Sequence, residues 1–472
     1  MLEILNNKVK SNKLIVITCI GCKHAKERMD NLKKSLYTRL WAIFYVILVF
    51  LPLVLLIIFP RPRSREFLRD FSVALGFITM SLLGLQTIPT SRLKFITRHF
   101  PMEKLYTIHH KMSIATLILS VIHPVLLIIN NPETLLLLNF TTAPWRARAA
   151  LISVLAMLIL IVTSVWREDI KMRYDVWRWL HDAMTLLAVG FAFFHMFRIN
   201  YFLSLTYQRV IWLVLAAIWL AVIVYIRVAR PIIMVKHPYV VDHVEKEFGD
   251  SWSLFVRPDG HPGFKFQAGQ FAWITVESPF IFRENPFSFS SSSDRDDGLM
   301  SFTIKELGDF TSSIKDLKPG DRIYVDGPYG TFSLDEHQSN RLVLIAGGIG
   351  SAPVLSILRT MRDRDHCIPV MFFYGSPSWD KVIFRDELAE LEKEMDCLKV
   401  IHVLEHTTED WKGESGYITA DILARHLPAD YKQWEYLFFL CGPTPMIEAV
   451  EGALHSLDVG SKKIFSEKYE MA

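Results

Sequence analysis

The chain has 472 residues, 51% hydrophobic, with 52 Lys and Arg against 49 Asp and Glu. The apolar content excludes intrinsic disorder, and the charge is unevenly placed: residues 1–235 hold 28 basic and 11 acidic side chains, the remainder 24 and 38. A basic, apolar half joined to an acidic half excludes a single soluble globule, and basic residues spread between long apolar runs exclude a nucleic-acid patch.

Residues 1–36 read as a polar, basic tail. It contains Cys19-Ile-Gly-Cys22, then Lys23 and His24. The spacing suits a redox pair, half a zinc site or a c-type haem attachment. Lys23 occupies the place where covalent haem attachment needs histidine, and no second cysteine pair lies near. An inert thiol pair is the expectation, and five cysteines in all predict no disulfide framework.

Residues 37–232 read as an all-α membrane domain. Leu40–Phe59 is a run of 20 residues without charge, Phe71–Ile88 and Ala149–Trp166 are runs of 18, and Val210–Ile226 is one of 17. Each can cross, or nearly cross, a hydrocarbon core about 30 Å thick. Two further segments, about Leu105–Ile129 and Trp177–Phe197, are apolar but carry histidine, which makes six spans. No small-residue cleavage site follows the first run, so a signal peptide is not expected. With the N-terminus inside, the cytoplasmic segments collect 19 Lys and Arg and the outer segments 8. The positive-inside rule then predicts a multi-pass plasma-membrane protein with its N-terminus and acidic half in the cytoplasm. Arg61, Arg63, Arg65 and Arg69 run against this locally.

Ionisable side chains at membrane depth are costly and usually functional. His109, His110 and His123 lie on the third span, and His181 and His195 on the fifth. A lone membrane histidine can serve as a helix-to-helix hydrogen bond. Here the spacing repeats: His109 to His123 and His181 to His195 are both 14 residues. On a helix, 14 steps fall about 40° short of four turns and rise about 21 Å, so each pair shares one face. His110 lies off that face. The third and fifth spans run in the same direction, which sets His109 level with His181 and His123 level with His195. Each level can hold one haem iron from both axial sides, an arrangement suited to electron transfer. Zinc needs four ligands close together, and a proton relay needs more carboxylates than Asp182.

From about residue 236 the pattern changes. Short alternating runs at Ser253–Val256, Phe271–Val276, Leu299–Lys305 and Arg322–Val325, separated by Pro-Gly turns, predict an antiparallel β-barrel over 236–335. Residues 336–472 predict a parallel α/β sheet, with buried-strand candidates at Leu342–Ala346, Val370–Tyr374, Val400–Leu404 and Tyr436–Leu440. Gly347-Gly348-Ile349-Gly350, after a strand and before a helix, suits a phosphate-binding turn, since backbone N–H groups approach a pyrophosphate only where side chains are absent. A tight structural turn is the other reading.

Together these motifs resemble the ferredoxin-reductase family joined to a ferric-reductase-type membrane domain, the architecture of NADPH oxidases and ferric-chelate reductases. The resemblance implies a multidomain fold: a six-helix transmembrane bundle holding two b-type haems on His109, His123, His181 and His195, an antiparallel-barrel FAD domain and an NAD(P)-binding domain. Asn285-Pro286-Phe287-Ser288 is similar to the family's flavin strand, which implies that Phe287 and Ser288 lie along the isoalloxazine; the family usually has His or Arg where Asn285 stands. Lys305 and Gly308-Asp309-Phe310-Thr311 resemble its pyrophosphate contacts, and Gly327-Pro328-Tyr329-Gly330 its turn ending the barrel. Cys441-Gly442-Pro443 with Met446 resembles its nicotinamide-side motif. Gly350-Ser351-Ala352-Pro353 has Ala352 where the family usually has a hydroxyl. Tyr469 resembles the terminal aromatic that stacks on the flavin until nicotinamide displaces it. Cys441 and Tyr469 are thereby implied as catalytic. Ser376 suits NADPH, with Lys381 or Arg385 as the basic partner, and NADH is the alternative. The implied activity is electron transfer from cytoplasmic NAD(P)H to an external small molecule, dioxygen or a ferric chelate, with a quinone or redox protein as other acceptors. A membrane-anchored flavin reductase or sensor is the reading without a haem wire.

Overall fold

In hydrocarbon every backbone N–H and C=O must be satisfied within its own segment, so the long uncharged runs form helices. The computed structural model describes residues 36–55, 58, 66–199, 201, 203–281, 283–337, 339–428, 431, 432 and 436–469. Cys19, Cys22, Arg61, Arg63 and Arg65 lie outside these residues. The chain divides into two compact units, Met1–Val224 and Tyr225–Ala472.

The first unit contains six membrane-length helices: α1 (Leu36–Leu55), α2 (Phe67–Leu85, extended by one turn at Thr87–Thr90), α3 (Met102–Asn130), α4 (Trp145–Val165), α5 (Tyr174–Ile199) and α6 (Thr206–Val224). Its burial is inverted relative to a soluble bundle. Ser72 is fully buried while Leu186 is 66% and Leu220 60% exposed, as a lipid-facing surface requires. Small residues let helices approach closely. Ala149, Ala156 and Ala188 are buried in α4 and α5, and Ser153 donates to the Ala188 carbonyl at 2.8 Å. Between α2 and α6, a methyl group on Gly84 would stand 2.2 Å from the Trp219 ring. Trp219 belongs to an aromatic cluster with Phe77, Phe193 and Trp212.

The second unit opens with α7 (Arg230–Lys236) and an antiparallel sheet. Its strands are β1 (Tyr239–Glu247), β2 (Ser251–Pro258), β3 (Phe271–Thr275), β4 (Asn285–Ser288), β5 (Met300–Lys305) and β6 (Arg322–Tyr329), in the order β4-β3-β6-β1-β2-β5. A bridge between Phe289 and Phe302 links the two ends and closes the barrel. Alternation along the strands fills the interior with Leu254, Ile274, Phe289, Phe302 and Ile323. A short helix, α8 (Asp309–Ser313), follows β5.

A wholly parallel sheet follows. Its strands are β7 (Arg341–Gly347), β8 (Val370–Ser376), β9 (Leu398–Leu404), β10 (Glu414–Ser415), β11 (Tyr436–Pro443) and β12 (Ile464–Tyr469), ordered β10-β9-β8-β7-β11-β12. Helices α9 (Ser351–Asp363), α10 (Arg385–Glu394), α11 (Ala420–His426) and α12 (Thr444–Ser456) connect them. Strands covered on both faces read as continuous apolar runs, and β7 is buried from Leu342 to Gly347. One expectation is corrected here. Cys367 and Cys397 form a disulfide, with sulfurs 2.06 Å apart. They lie in the loops entering β8 and β9, neighbouring strands that bring together two cysteines 30 residues apart.

Candidate functional site

The two histidine levels come from two helices of the first unit, α3 and α5. At one level the rings of His109 (α3) and His181 (α5) have centroids 6.4 Å apart and planes at 47°. Two imidazoles coordinating one metal from opposite sides, each at about 2 Å, hold their ring centroids roughly 6 Å apart. The pair therefore fits an axial ligand set. His109 Nδ1 donates to the Gln86 carbonyl at 3.2 Å. The Gln86 side chain is fixed in turn: its Oε1 accepts from Ser113 Oγ at 2.5 Å and its Nε2 donates to Thr116 Oγ1 at 3.0 Å. Trp177 packs on His181 with centroids 5.3 Å apart. His110 is exposed.

At the other level His123 Nδ1 donates to the Ser72 carbonyl at 2.7 Å, and Ser72 Oγ donates to the His123 carbonyl at 2.7 Å. A methyl on Gly76 would stand 3.4 Å from the His123 ring. His195 Nδ1 donates to the Arg146 carbonyl at 2.7 Å, and His195 lies within electrostatic range of His123. A carbonyl can only accept, so Nδ1 carries the hydrogen in His109, His123 and His195. Each Nε2 is left with its lone pair, the arrangement by which metal-binding histidines are oriented. The donor set thus fits a haem at each level. Ser72 and Gln86 were not read as site residues from sequence. They too are 14 residues apart, on an antiparallel neighbour of α3, and that repeat was their only signal.

In the second unit, β4 carries Asn285, Pro286, Phe287 and Ser288. Ser288 is buried, and Phe287 stacks on Phe310 of α8 with centroids 6.0 Å apart and planes at 13°. Lys305 ends β5. Thr311 is turned back on its own loop: its Oγ1 accepts from the N–H of Leu307 and Gly308 at 2.8 and 2.9 Å and donates to the Gly308 carbonyl at 3.0 Å. Its hydroxyl shapes the turn and engages the Gly308 N–H, leaving the Lys305 ammonium as the candidate group for a phosphate.

The glycine turn after β7 converges with the end of β11. A methyl on Gly347 would stand 2.2 Å from Met446 Sδ, and one on Gly350 would stand 2.2 Å from the Cys441 carbonyl oxygen. Gly348 adopts φ +53°, with open space beside it. Cys441 is a buried free thiol, and Pro353 is buried in the first turn of α9. Ser376, buried at the end of β8, donates to the Ser378 carbonyl at 3.3 Å. Tyr469 ends β12 in register with Pro443, which brings the terminal strand to the nicotinamide-side motif. Tyr374 was read only as a strand residue. Its hydroxyl donates toward the Gly348 carbonyl at 3.1 Å and accepts from Ile383 N–H at 3.0 Å, and burial raises its pKa. Helix α9 is stitched to the segment that follows the flavin strand. Arg359 forks onto Glu387 at 2.7 and 2.6 Å and donates to the Ser290 carbonyl at 2.7 Å, and Ser356 donates to the Ser291 carbonyl at 2.7 Å.

Three family models match the chain in order: "Ferric reductase like transmembrane component" over residues 75–194, "FAD-binding domain" over 256–333 and "Oxidoreductase NAD-binding domain" over 344–452. This is the domain arrangement of the ferric reductases and NADPH oxidases. Among its relatives, the reductase component of propane 2-monooxygenase from Mycolicibacterium smegmatis is 31% identical over 236 residues, 48% of this chain and 66% of that protein. NADH-cytochrome b5 reductase 1 from Aspergillus terreus is 32% identical over 174 residues, 35% of this chain and 58% of that protein. The chain thus spans less than two thirds of the length of these relatives. Among solved structures, the Amycolatopsis cytochrome P450 reductase GcoB covers 50% of this chain and 70% of its own at 23% identity, with a TM-score of 0.44.

Beyond the end of β8, both basic candidates are engaged. Lys381 pairs with Asp250 at 2.7 Å, and Arg385 lies 3.7 Å over the Phe248 ring. His402 of β9 packs beside Trp379 and Tyr374, and its buried Nδ1 has no hydrogen-bond partner among the described residues. Burial lowers its pKa from 6.5 to about 4. The folded chain therefore keeps His402 neutral where the unfolded chain protonates it. Stability from this group is complete above about pH 6.5 and declines as the pH falls toward 4. His402→Phe is expected to flatten the thermal midpoint against pH across that window; an unchanged profile would assign the slope to other groups.

Proposed function

We propose that this chain is an oxidoreductase that moves electrons from cytoplasmic NAD(P)H across the plasma membrane, through FAD and two b-type haems, to dioxygen as the external acceptor, giving superoxide. The observation that carries this reading is the pair of histidine levels, with His109 facing His181 and the Nδ1 hydrogens of His109, His123 and His195 committed to backbone carbonyls. When bound, FAD supplies the division of a hydride into single electrons, and haem supplies their one-at-a-time carriage.

The residues have the following parts. Gly347, Gly348 and Gly350 admit the nucleotide phosphates to the start of α9, where the helix dipole favours negative charge. Cys441, Gly442, Pro443 and Met446 line the nicotinamide side, and Tyr469, which ends the adjoining strand in register with Pro443, is assigned to the flavin by the family resemblance alone. Phe287 and Ser288 orient the isoalloxazine, while Lys305 neutralises the pyrophosphate. His109 with His181, and His123 with His195, hold the two haems. Ser376 favours NADPH; its 2′-phosphate would draw Lys381 away from Asp250, and NADH needs no such change.

A ferric chelate is the second acceptor reading, favoured by the description of the transmembrane family model. The test is a reduced-minus-oxidised haem spectrum after anaerobic addition of NADPH or NADH to purified protein, followed by superoxide and ferric-reduction assays. Haem reduced by nucleotide, with superoxide on admission of air, is the expected result. Protein without haem, or with haem that nucleotide does not reduce, would refute it.

A further inference from the structure

The last apolar helix continues past its membrane-length segment. It passes through a π-helical turn at Tyr225–Ala229 into α7, whose first residue is Arg230. Arg230 is 6% exposed, and the carboxylates facing it, Glu284 and Asp326, are 6% and 8% exposed. Arg230 Nη2 lies 3.7 Å from Glu284 Oε1, and Nη1 lies 3.8 Å from Asp326 Oδ2. Both separations exceed a hydrogen bond. Burying an ion cluster is rarely a gain in stability, so its retention points to a demand for geometry.

The two carboxylates stand at telling places. Glu284 immediately precedes β4, the strand read as flavin-binding. Asp326 lies in β6, where it accepts from Tyr329 Oη at 2.9 Å. Both β4 and β6 pair with β3, and α7 packs on β6. A guanidinium is a planar fork that can address two carboxylates at once, whereas an ammonium is a single point charge. One side chain on the continuation of the sixth span thus ties two strands of the flavin barrel.

We propose that Arg230 is a positioning residue: it fixes α7 to β4 and β6, so that the electron's exit from the flavin toward the membrane depends on it and hydride arrival does not. This rests on the electron path proposed above. Hydride transfer involves the nucleotide side of the second unit, and the carboxylates that Arg230 faces among the described residues, Glu284 and Asp326, lie on the barrel side. The first immediately precedes the strand read as flavin-binding, and the second is a residue of β6.

The test uses the full chain loaded with FAD and haem. Arg230→Lys keeps the buried charge but loses the fork. The triple variant Arg230→Met, Glu284→Gln, Asp326→Asn removes the cluster without leaving a lone buried charge. Anaerobic stopped-flow mixing with NADPH or NADH reads flavin bleaching and haem reduction in one trace, and amide hydrogen exchange reads α7 independently of activity. Flavin bleaching is expected within about twofold of wild type. Haem reduction is expected to slow about tenfold in the triple variant, and less in the lysine variant, because a small misplacement of a reacting group is costly in rate. Exchange across residues 232–236 is expected to quicken in the triple variant. An unchanged haem rate overturns the proposal, as does an equal loss of both steps, which would mark a purely structural role. If wild-type haem is not reduced at all, the electron path fails in that control trace and the assignment of Arg230 falls with it. If wild type transfers normally and the variants do too, only Arg230 is refuted.

Discussion

His109→Leu is expected to lower the haem content from two per chain to one and to stop nucleotide-driven reduction of the remaining haem. The ring of His109 faces His181 at a centroid separation of 6.4 Å, so on the proposed two-haem reading its loss would leave one imidazole where the pair would hold the group. Removing even the partner that orients a metal-binding histidine typically costs 10–100-fold in affinity, so loss of the ligand is expected to exceed about 100-fold. Three comparisons give the result its meaning. His110→Leu is expected to retain both haems, because His110 is exposed. Gln86→Ala keeps the backbone carbonyl that accepts from His109 and loses only its ties to Ser113 and Thr116, so a partial loss is expected. His123→Leu is expected to remove the second haem while leaving nucleotide-driven reduction of the first. A pyridine haemochrome assay counts the haem in each variant. Two haems retained in His109→Leu would remove that residue from the ligand set.

Gly350→Ala is the second change expected to be severe. Its new methyl would stand 2.2 Å from the Cys441 carbonyl and 2.6 Å from the carbonyl carbon. Those atoms are backbone in β11, which is paired with β7 on one side and β12 on the other. No rotamer change relieves a clash with the main chain, so the turn and strand must separate. Overpacking of this kind costs about 3 kcal/mol, which for a unit of this size corresponds to roughly 6–12 °C in thermal midpoint. The same separation disrupts the turn proposed to admit the phosphates, so the KM for the nucleotide is expected to rise at least about tenfold while FAD content is kept. Gly348→Ala is the informative contrast. Gly348 has open space beside it but a φ of +53°, so the cost there is left-handed backbone strain alone, about 1 kcal/mol. Differential scanning fluorimetry and nucleotide titration on both variants separate the two causes. Equal effects would mean that close approach to Cys441 is not what requires glycine at position 350.

Much of this molecule follows from repeats along the chain. Helices have a fixed rise and angle per residue, so four uncharged runs of 17–20 residues and two apolar segments carrying histidine read as six spans, and a histidine spacing of 14 sets the shared faces of His109 with His123 and His181 with His195. Strands have a period of two, so the change from alternating to continuous apolar runs near Arg341 separates the antiparallel barrel from the parallel sheet. The glycines of 347–350 were legible because lacking a side chain is itself their chemistry.

What holds these parts in place was decided by tertiary structure. Ser72 meets His123 across 51 residues, Gln86 meets His109 across 23, and Arg146 meets His195 across 49. In all three the partner is a backbone carbonyl, which every residue possesses, so residue identity carries no signal for it. Arg230 counted in the sequence only as one more basic residue at a membrane edge, and nothing in the sequence singled out Arg359. Their partners stand just before β4, on β6, on α10 and in the segment after β4, and strand order and helix crossing brought them within reach. Cys367 and Cys397 likewise meet only because β8 and β9 are neighbours. Periodicity is a property of one segment and can be read from it. A contact between segments depends on how they cross, and local pattern does not encode that.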